Sequence, residues 1–503
     1  MRLDEHLSLP EPGSPTGRAG PRGALPGLII TVALFLALVV GVSYTMEVFT
    51  LQFAVAAGLC VALSFLCFAQ VKLVLYVLIF ACLFSPELRI GTVLGRASKR
   101  PVTIRVEDIL LVVIAITWFA RAAVNKELGR MLRTPLNRPI LAYALICVLA
   151  TLLGFGYGWV EPSFGPPLFV LKYIQYFVLF FVVVNYIETP GDLRRLVAAG
   201  VVTYAAVIVY GLIQVPAGLR PSTFAERPAE PNTLAGYLLL MMGICSGFLI
   251  SARTTVRRLG WAALLAPGFV LLVYTLSRSG WAGVGGIAAA LLVLSRRRIA
   301  VLGSLLVLAA GLALFSFKTE WVPKPVEDRV RQTLGDYETY PGMPPPARFL
   351  GMELDPSASE RYRSYRDALQ TWWGRSVRYW VPALTGSGVL GGRPFVDGQY
   401  VRVLAESGLL GLAAFLALLV AIWRHVWRSY HELESPWYRG LALGYLAGFA
   451  GLLIHALAAN TFIIVRIMEP FFIFTGIVML LPHMERVERH EPGAEEEVPY
   501  EYA

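Results

Sequence analysis

Long apolar runs recur along this chain from Leu25 to Leu481, and that recurrence constrains the fold more than any other feature. A helix rises about 1.5 Å per residue, so a run of about 17 or more residues crosses roughly 30 Å of hydrocarbon. Fourteen candidate spans fall near residues 25–44, 50–69, 71–84, 107–123, 139–157, 167–187, 196–215, 233–251, 259–276, 279–295, 299–317, 401–423, 438–457 and 463–482. The third is short and reads as tilted, re-entrant or merged with its neighbour. The pattern predicts an all-α polytopic integral membrane protein of about 12–14 transmembrane helices. Its expected organisation is a polar tail over 1–24, helices 1–11 within 25–317, a long loop over 318–398, helices 12–14 within 399–482 and a second tail over 483–503.

Composition closes off the alternatives. Charged residues make up 16% of the 503 residues, against roughly 25% in an ordinary soluble domain. Too few polar residues remain to coat separate soluble cores, which excludes soluble enzymes, nucleic-acid binders and secreted disulfide scaffolds. The five cysteines, Cys60, Cys67, Cys82, Cys147 and Cys245, all lie inside apolar runs without metal-ligand spacing. They read as small hydrophobes, so neither disulfides nor a metal is expected. Residues 1–23 carry Asp4, Glu5, Pro10, Pro12 and Pro15 before the first apolar run, which suits a short cytoplasmic tail better than a cleavable leader.

Orientation follows from Lys and Arg in the short connections. With the N-terminus inside, the cytoplasmic segments hold 22 of these cations and the short outer segments hold 9. This predicts cytoplasmic N- and C-termini in a multi-pass protein. The outer stretch 89–105, with Arg89, Arg96, Lys99, Arg100 and Arg105, runs against the bias. It reads either as a local error in topology or as cations held outside to bind phosphate.

Residues 318–398 break the rhythm of short loops and fall on the outer, periplasmic side. A structureless connection of that length is uncommon unless it is functional. Its first part is proline-rich. Its second part reads as a helix, with Ser357 and Glu360 as a capping box and Tyr362, Tyr365, Leu369 and Trp372 at helical spacing. Aromatic residues beside Arg361, Arg363 and Arg366 suit a helix in the membrane interface, and they equally suit a lid packed on the bundle.

Charged side chains in or beside spans are costly unless they face a cavity or a partner. The outer face gathers Arg220, Arg278, Arg361, Arg363 and Arg366. One such arginine reads as a snorkelling anchor. Several beside a long loop point to an anionic ligand, because guanidinium forks match phosphate oxygens two at a time. On the same face lie Glu226, Glu230, Asp397 and Glu406. Asn232 reads as a helix cap, and Asp397 reads either as a cap for the twelfth span or as a general base at the lipid–water boundary. His455, Arg466 and Glu469 read as ties between the last two spans.

These strings resemble the O-antigen ligase and polymerase superfamily of bacterial membrane glycosyltransferases. The resemblance rests on Ser277-Arg278-Ser279-Gly280 before a glycine-rich span, and on Ser357, Ser359 and Arg361 as S-x-S-x-R in the long loop. It continues through Gly386-Ser387-Gly388, Val396-Asp397-Gly398-Gln399-Tyr400, Leu404 to Gly411, and Glu230 to Tyr237, and is strongest over 200–423. The resemblance implies a GT-C-like all-α fold in the bacterial inner membrane, with a site opening to the periplasm. It implies a glycan donor on undecaprenyl pyrophosphate, a glycan or lipid acceptor, and inverting transfer without metal or other cofactor. Flippase and chain-length regulator proteins would be its partners. Arg220 and Arg361 map onto the family's pyrophosphate arginines, with Arg278 and Arg366 assisting. Beside the resemblance, Asp397 reads as the base, with Glu226, Gln399 and Tyr400 in support. The family's ligases often carry a histidine where this chain has Asp397 or Gln399, which favours the polymerase or exopolysaccharide branch. A transporter or flippase of lipid-linked sugars is the alternative reading; it would need ionisable groups along a path at mid-span.

Overall fold

The computed structural model describes residues 71–85, 87–95, 98–105, 108, 110–116, 134–163, 165–217, 219–223, 230–298, 324–333, 345–349, 351–391 and 396–490. The expected spans at 25–44, 50–69 and 299–317, most of that at 107–123, the tail 1–24, residues 491–503 and Glu226 lie outside the described residues; the expected second tail starts as helix, since the last helix runs on to His490. Within them the chain is a helical bundle with eight helices long and apolar enough to cross a membrane. It is an all-α polytopic membrane protein.

The elements run α1 (Val71–Phe84), β1 (Glu87–Gly95), β2 (Ser98–Arg105), α2 (Asn137–Gly156), α3 (Gly165–Tyr186), α4 (Pro190–Gln214), α5 (Pro231–Ser251), α6 (Thr255–Tyr274) and α7 (Arg278–Leu294). The long loop contributes α8 (Lys324–Thr333), the two-residue strands β3 (Arg348–Phe349) and β4 (Met352–Glu353), α9 (Pro356–Tyr379) and α10 (Val381–Thr385). The bundle closes with α11 (Gln399–Glu432), α12 (Pro436–His455) and α13 (Val465–His490). The basic stretch expected as an outer loop is instead an antiparallel hairpin, pairing Glu87 with Arg105 and Gly95 with Ser98. Its β-branched and apolar residues alternate well enough to pair, a pattern its five cations obscure.

Glycines set the core. Gly243 and Gly247 of α5 face Gly440, Gly444 and Gly448 of α12, all at four-residue spacing. A Cβ on Gly247 would lie 2.2 Å from the Gly440 carbonyl oxygen, and one on Gly243 would lie 2.2 Å from the Gly448 nitrogen. On the other side of α12, Gly283 and Gly286 of α7 approach the backbone of Ala450 and Gly451. Small residues let helix backbones touch in lipid, where dispersion contacts replace the hydrophobic drive available in water. The three helices so locked bring the start of α5, the start of α7 and the end of α12 to one end of the bundle. That end carries the site.

The opposite end is tied by polar contacts of its own. Arg194 pairs with Glu488, and the Glu485 carboxylate accepts from the backbone N–H groups of Glu434 and Ser435. Arg297 donates to the Ile250 carbonyl at 2.8 Å.

Helix α11 is broken at Gly408, whose φ of 66° no β-carbon-bearing residue adopts readily. The break frees the carbonyls of Ala405 and Glu406, which accept from the N–H groups of Ser387 and Gly388 at 3.0 and 2.9 Å. The Gly386-Ser387-Gly388 string therefore docks the loop's end into the bundle. Nearby, Glu406 accepts from Arg402 Nε and the Tyr173 hydroxyl, both at 3.0 Å. That satisfied trio binds α11 to α3 inside the protein, so Glu406 is a strut rather than a group on the outer face.

Candidate active site

The turn Thr275-Leu276-Ser277 between α6 and α7 organises the site. Ser277 caps α7 by accepting from Gly280 N–H at 3.2 Å, and its hydroxyl donates to Asn232 Oδ1 at 2.7 Å. Asn232 is thus occupied across the bundle. The cap position of α5 belongs to Glu230, which makes no side-chain capping bond. Leu276 has a φ of 53°, and the turn offers two consecutive carbonyls to loop arginines. Arg220 Nε donates to the Thr275 carbonyl at 2.7 Å, and Arg329 Nε donates to the Leu276 carbonyl at 3.3 Å. Arg278, the next residue but one, meets Asp355 with both guanidinium nitrogens at 2.5 and 2.8 Å. One short turn fixes three arginines.

Asp355 does double duty. Its Oδ1 accepts from the N–H groups of Ser357 and Ala358 at 3.1 and 3.3 Å, so it is the N-cap of α9, with Pro356 in the first helical position. This corrects the expected Ser357–Glu360 capping box. Proline is pre-set for the first helical position, which places the cap one residue before it. Burial works against the charged Asp355 carboxylate, but the Arg278 fork and the two amides outweigh it and hold its pKa below the usual value.

Arg361 stands on the first turns of α9 and, among the described residues, makes neither a hydrogen bond nor an ion pair. Its charge reaches Arg220, Arg329, Tyr365 and His455. Partial enclosure, then the like charges of Arg329 and Arg361, lower the Arg220 pKa. Enclosure likewise lowers Arg329, followed by Arg278, with Asp355 acting the other way. Four guanidiniums therefore repel one another around one end of the bundle. A cleft of about 200 Å³ opens beside Arg220 and Arg329, lined also by Leu276, Pro325, Asp328 and Gln332. Repulsion among fixed cations is relieved by an anion placed between them.

Residues 262–416 match the family model Wzy_C, described as O-antigen ligase. Over that segment the chain is similar to the O-antigen ligase family. No curated protein matches it. The segment matched to O-antigen ligase begins inside α6 and ends inside α11, so it holds the organising turn, the long loop, Asp397 and the Gly408 break. Arg220 lies before it.

Within the matched segment, Asp397 sits exposed in the turn that leads into α11. The cap position of α11 is Gly398, so Asp397 is free of the capping role. Gly398 has a φ of 108°, and a Cβ there would lie 2.3 Å from the Tyr365 hydroxyl. The turn is pinned from below. The Gln399 side-chain oxygen accepts from Phe462 N–H at 3.0 Å, Tyr400 donates to the Leu453 carbonyl at 3.0 Å, and Asn460 donates to the Val396 carbonyl at 2.7 Å. Tyr365 of α9 donates to the Leu457 carbonyl at 2.7 Å and feels both Arg361 and Asp397. Burial, with Asp397 adding to it and Arg361 opposing it, pushes the Tyr365 phenol up to about 12. Tyr365 links the arginine cluster to Asp397.

The structure brings Arg220, Arg278 and Arg361 together around one turn, with Asp397 close enough to Tyr365 to act on its hydroxyl. Arg366 is exposed on α9 and has no hydrogen bond among the described residues. Gln399 and Tyr400 hold backbone rather than face the cleft. Arg329 and Asp355 escape the sequence reading, which takes Tyr365 only as part of a helical stripe. Arg329 lies in α8, a polar ten-residue helix with no apolar stripe to announce it. Among the described residues, no three His, Cys, Asp or Glu side chains come together as a metal-binding group.

Proposed function

We propose that this membrane enzyme of surface-polysaccharide assembly transfers oligosaccharide repeat units from an undecaprenyl-pyrophosphate carrier at the periplasmic face. Transfer would go either to a growing chain, as a polymerase, or to a separate glycan or lipid acceptor. The observation that carries this reading is the convergence of Arg220, Arg278, Arg329 and Arg361, where Asp355 is already engaged by Arg278. Orientation rests on cation bias: the opposite end of the bundle bears Arg253, Arg257, Arg258 and Arg296 to Arg298, and cytoplasmic loops are enriched in such residues.

In this scheme Arg220, Arg329 and Arg361 grip the pyrophosphate, and Arg278 braces α9 through Asp355. The acceptor hydroxyl attacks the anomeric carbon from the face opposite the phosphate, so the configuration inverts. Its proton passes to the Asp397 carboxylate. The bond from the anomeric carbon to the phosphate oxygen breaks, and polyprenyl pyrophosphate leaves with the added charge. Fixed guanidiniums stabilise that charge as it develops, without proton transfer and without a metal. Arg366 guides the anionic headgroup toward the cleft.

The transporter alternative is less well supported. Among the described residues, the buried charged groups of the spans, Asp192, Arg402, Glu406, Arg466, Glu469 and Glu485, lie within about two turns of a helix end, not along a path at mid-span. Incubating purified protein with a polyprenyl-pyrophosphate oligosaccharide, alone and with candidate acceptors, tests the reading. Lengthened glycan without acceptor identifies a polymerase, and product only with acceptor identifies a ligase. An unchanged donor in every mixture, with donor moved across proteoliposomes, would establish the transporter.

A further inference from the structure

Helix α2 shows how this protein meets lipid. Leu141, Leu145, Leu149 and Leu152 form an exposed leucine stripe along one face. At the site end of that stripe, Tyr157 and Trp159 stack with centroids 4.5 Å apart. Tyr379 of α9 packs on both, at 5.6 and 5.7 Å, and the Arg375 guanidinium lies 5.0 Å over the Trp159 ring. The membrane-facing surface of α2 thus continues directly onto the loop helix.

On α9 the surface continues as Leu369, Trp373 and Val377, followed by Trp380 at the helix end and Leu384 in α10. Steps of four residues keep Leu369, Trp373 and Val377 on one side of α9. Trp373 is 64% exposed, and Val377 and Trp380 are each 70% exposed. Fraying does not explain this, because the segment is held on both sides. Trp372 donates to the Pro382 carbonyl at 3.0 Å, and Ala368 is buried with Val396 and Ala405. At Trp380 the backbone turns left-handed, with φ 52°, and sends α10 back against α11. Exposed Arg366 and Arg378 accompany the apolar side chains. Apolar and aromatic residues joined to cations match the acyl–headgroup boundary of a bilayer, where tryptophan rings and guanidiniums both settle.

We propose that the C-terminal half of α9 lies in the membrane interface at the site end of the bundle. Trp373, Val377 and Trp380 sit at the acyl boundary there, and Arg366 and Arg378 meet lipid phosphates. The occupant of this face is phospholipid, and the assignment does not depend on the proposed transfer reaction. Its consequence is mechanical. The helix that presents Arg361 is anchored to the bilayer in which a lipid-linked donor diffuses.

The test uses the full-length protein in nanodiscs of mixed zwitterionic and anionic phospholipid, in a background without the five native cysteines. Nitroxide labels placed singly at 373 and 377 are compared with labels at 145 and 149 on α2 and at 360 on α9. Collision rates with oxygen, which partitions into lipid, and with a water-soluble nickel chelate are read for each. The proposal expects the oxygen-to-nickel ratio at 373 and 377 to match 145 and 149 and to exceed 360 several-fold. A ratio equal to that at 360 would make this a water-facing surface, and low access to both reagents would make it a protein interface. Either outcome overturns the proposal. Each label perturbs one exposed position, and the ratio at 145 and 149 reports whether the bundle is intact.

Discussion

Arg361 and Arg278 are both guanidiniums beside the same turn, yet they stand in opposite states. Arg278 is committed to Asp355 with two bonds, whereas Arg361 faces other cations. Arg278→Ala should therefore act through the loop, loosening α9, and Arg278→Lys should recover part of the loss by keeping one contact with Asp355. Arg329→Ala should lower turnover by about 100-fold, the effect expected of one fixed donor at a developing charge. A steady-state rate with defined donor checks this. Asp397→Asn should cut kcat by about 100- to 10,000-fold and leave donor binding nearly unchanged, the signature of a missing base rather than a missing clamp. Arginine clustering was legible in the sequence because each arginine stands out against an apolar background. The pairing of Arg278 was not, since it depends on a carboxylate 77 positions away.

At the level of elements, the junction between α7 and α9 rests on one carboxylate with two jobs. Asp355→Asn keeps a good cap and removes the ion pair; Asp355→Ala removes both and should cost about 1 kcal/mol more. The pH dependence follows from the lowered Asp355 pKa. A group whose pKa is depressed by folding stabilises fully above its unfolded value, near 3.9, and loses that contribution as pH falls through the folded value. Hydrogen exchange at the Ser357 and Ala358 amides should thus be insensitive to pH near neutrality, once corrected for intrinsic rates. Protection should fall only in strong acid, and the Asn variant should show no such step. Contact between α5 and α12 makes a second test: Gly247→Val drives a side chain into the Gly440 carbonyl and should sharply reduce the folded yield in detergent. Four-residue glycine spacing in both helices was visible in the sequence, but which helices it joined required the fold.

For the whole molecule, hydropathy revealed the helical bundle because each span must satisfy its backbone internally. It could not reveal the hairpin Glu87–Arg105, where strand pairing hides behind charge, nor α8, whose ties to the turn region are the bond of Arg329 to the Leu276 carbonyl and that of Arg278 to the Thr333 hydroxyl. The site lies where three glycine-locked helices end, so its geometry belongs to the bundle, while its arginines come from both bundle and loop. The account's central claim is that these arginines grip a diphosphate while sugar departs. The most direct measurement is the single-turnover rate of glycan loss from a polyprenyl-pyrophosphate donor, by wild-type protein and by Arg361→Ala and Arg361→Lys at equal folded amounts. The account predicts a fall of about 100-fold or more for Ala and a smaller one for Lys, which keeps the charge but loses the fork. A wild-type rate from Arg361→Ala would contradict it.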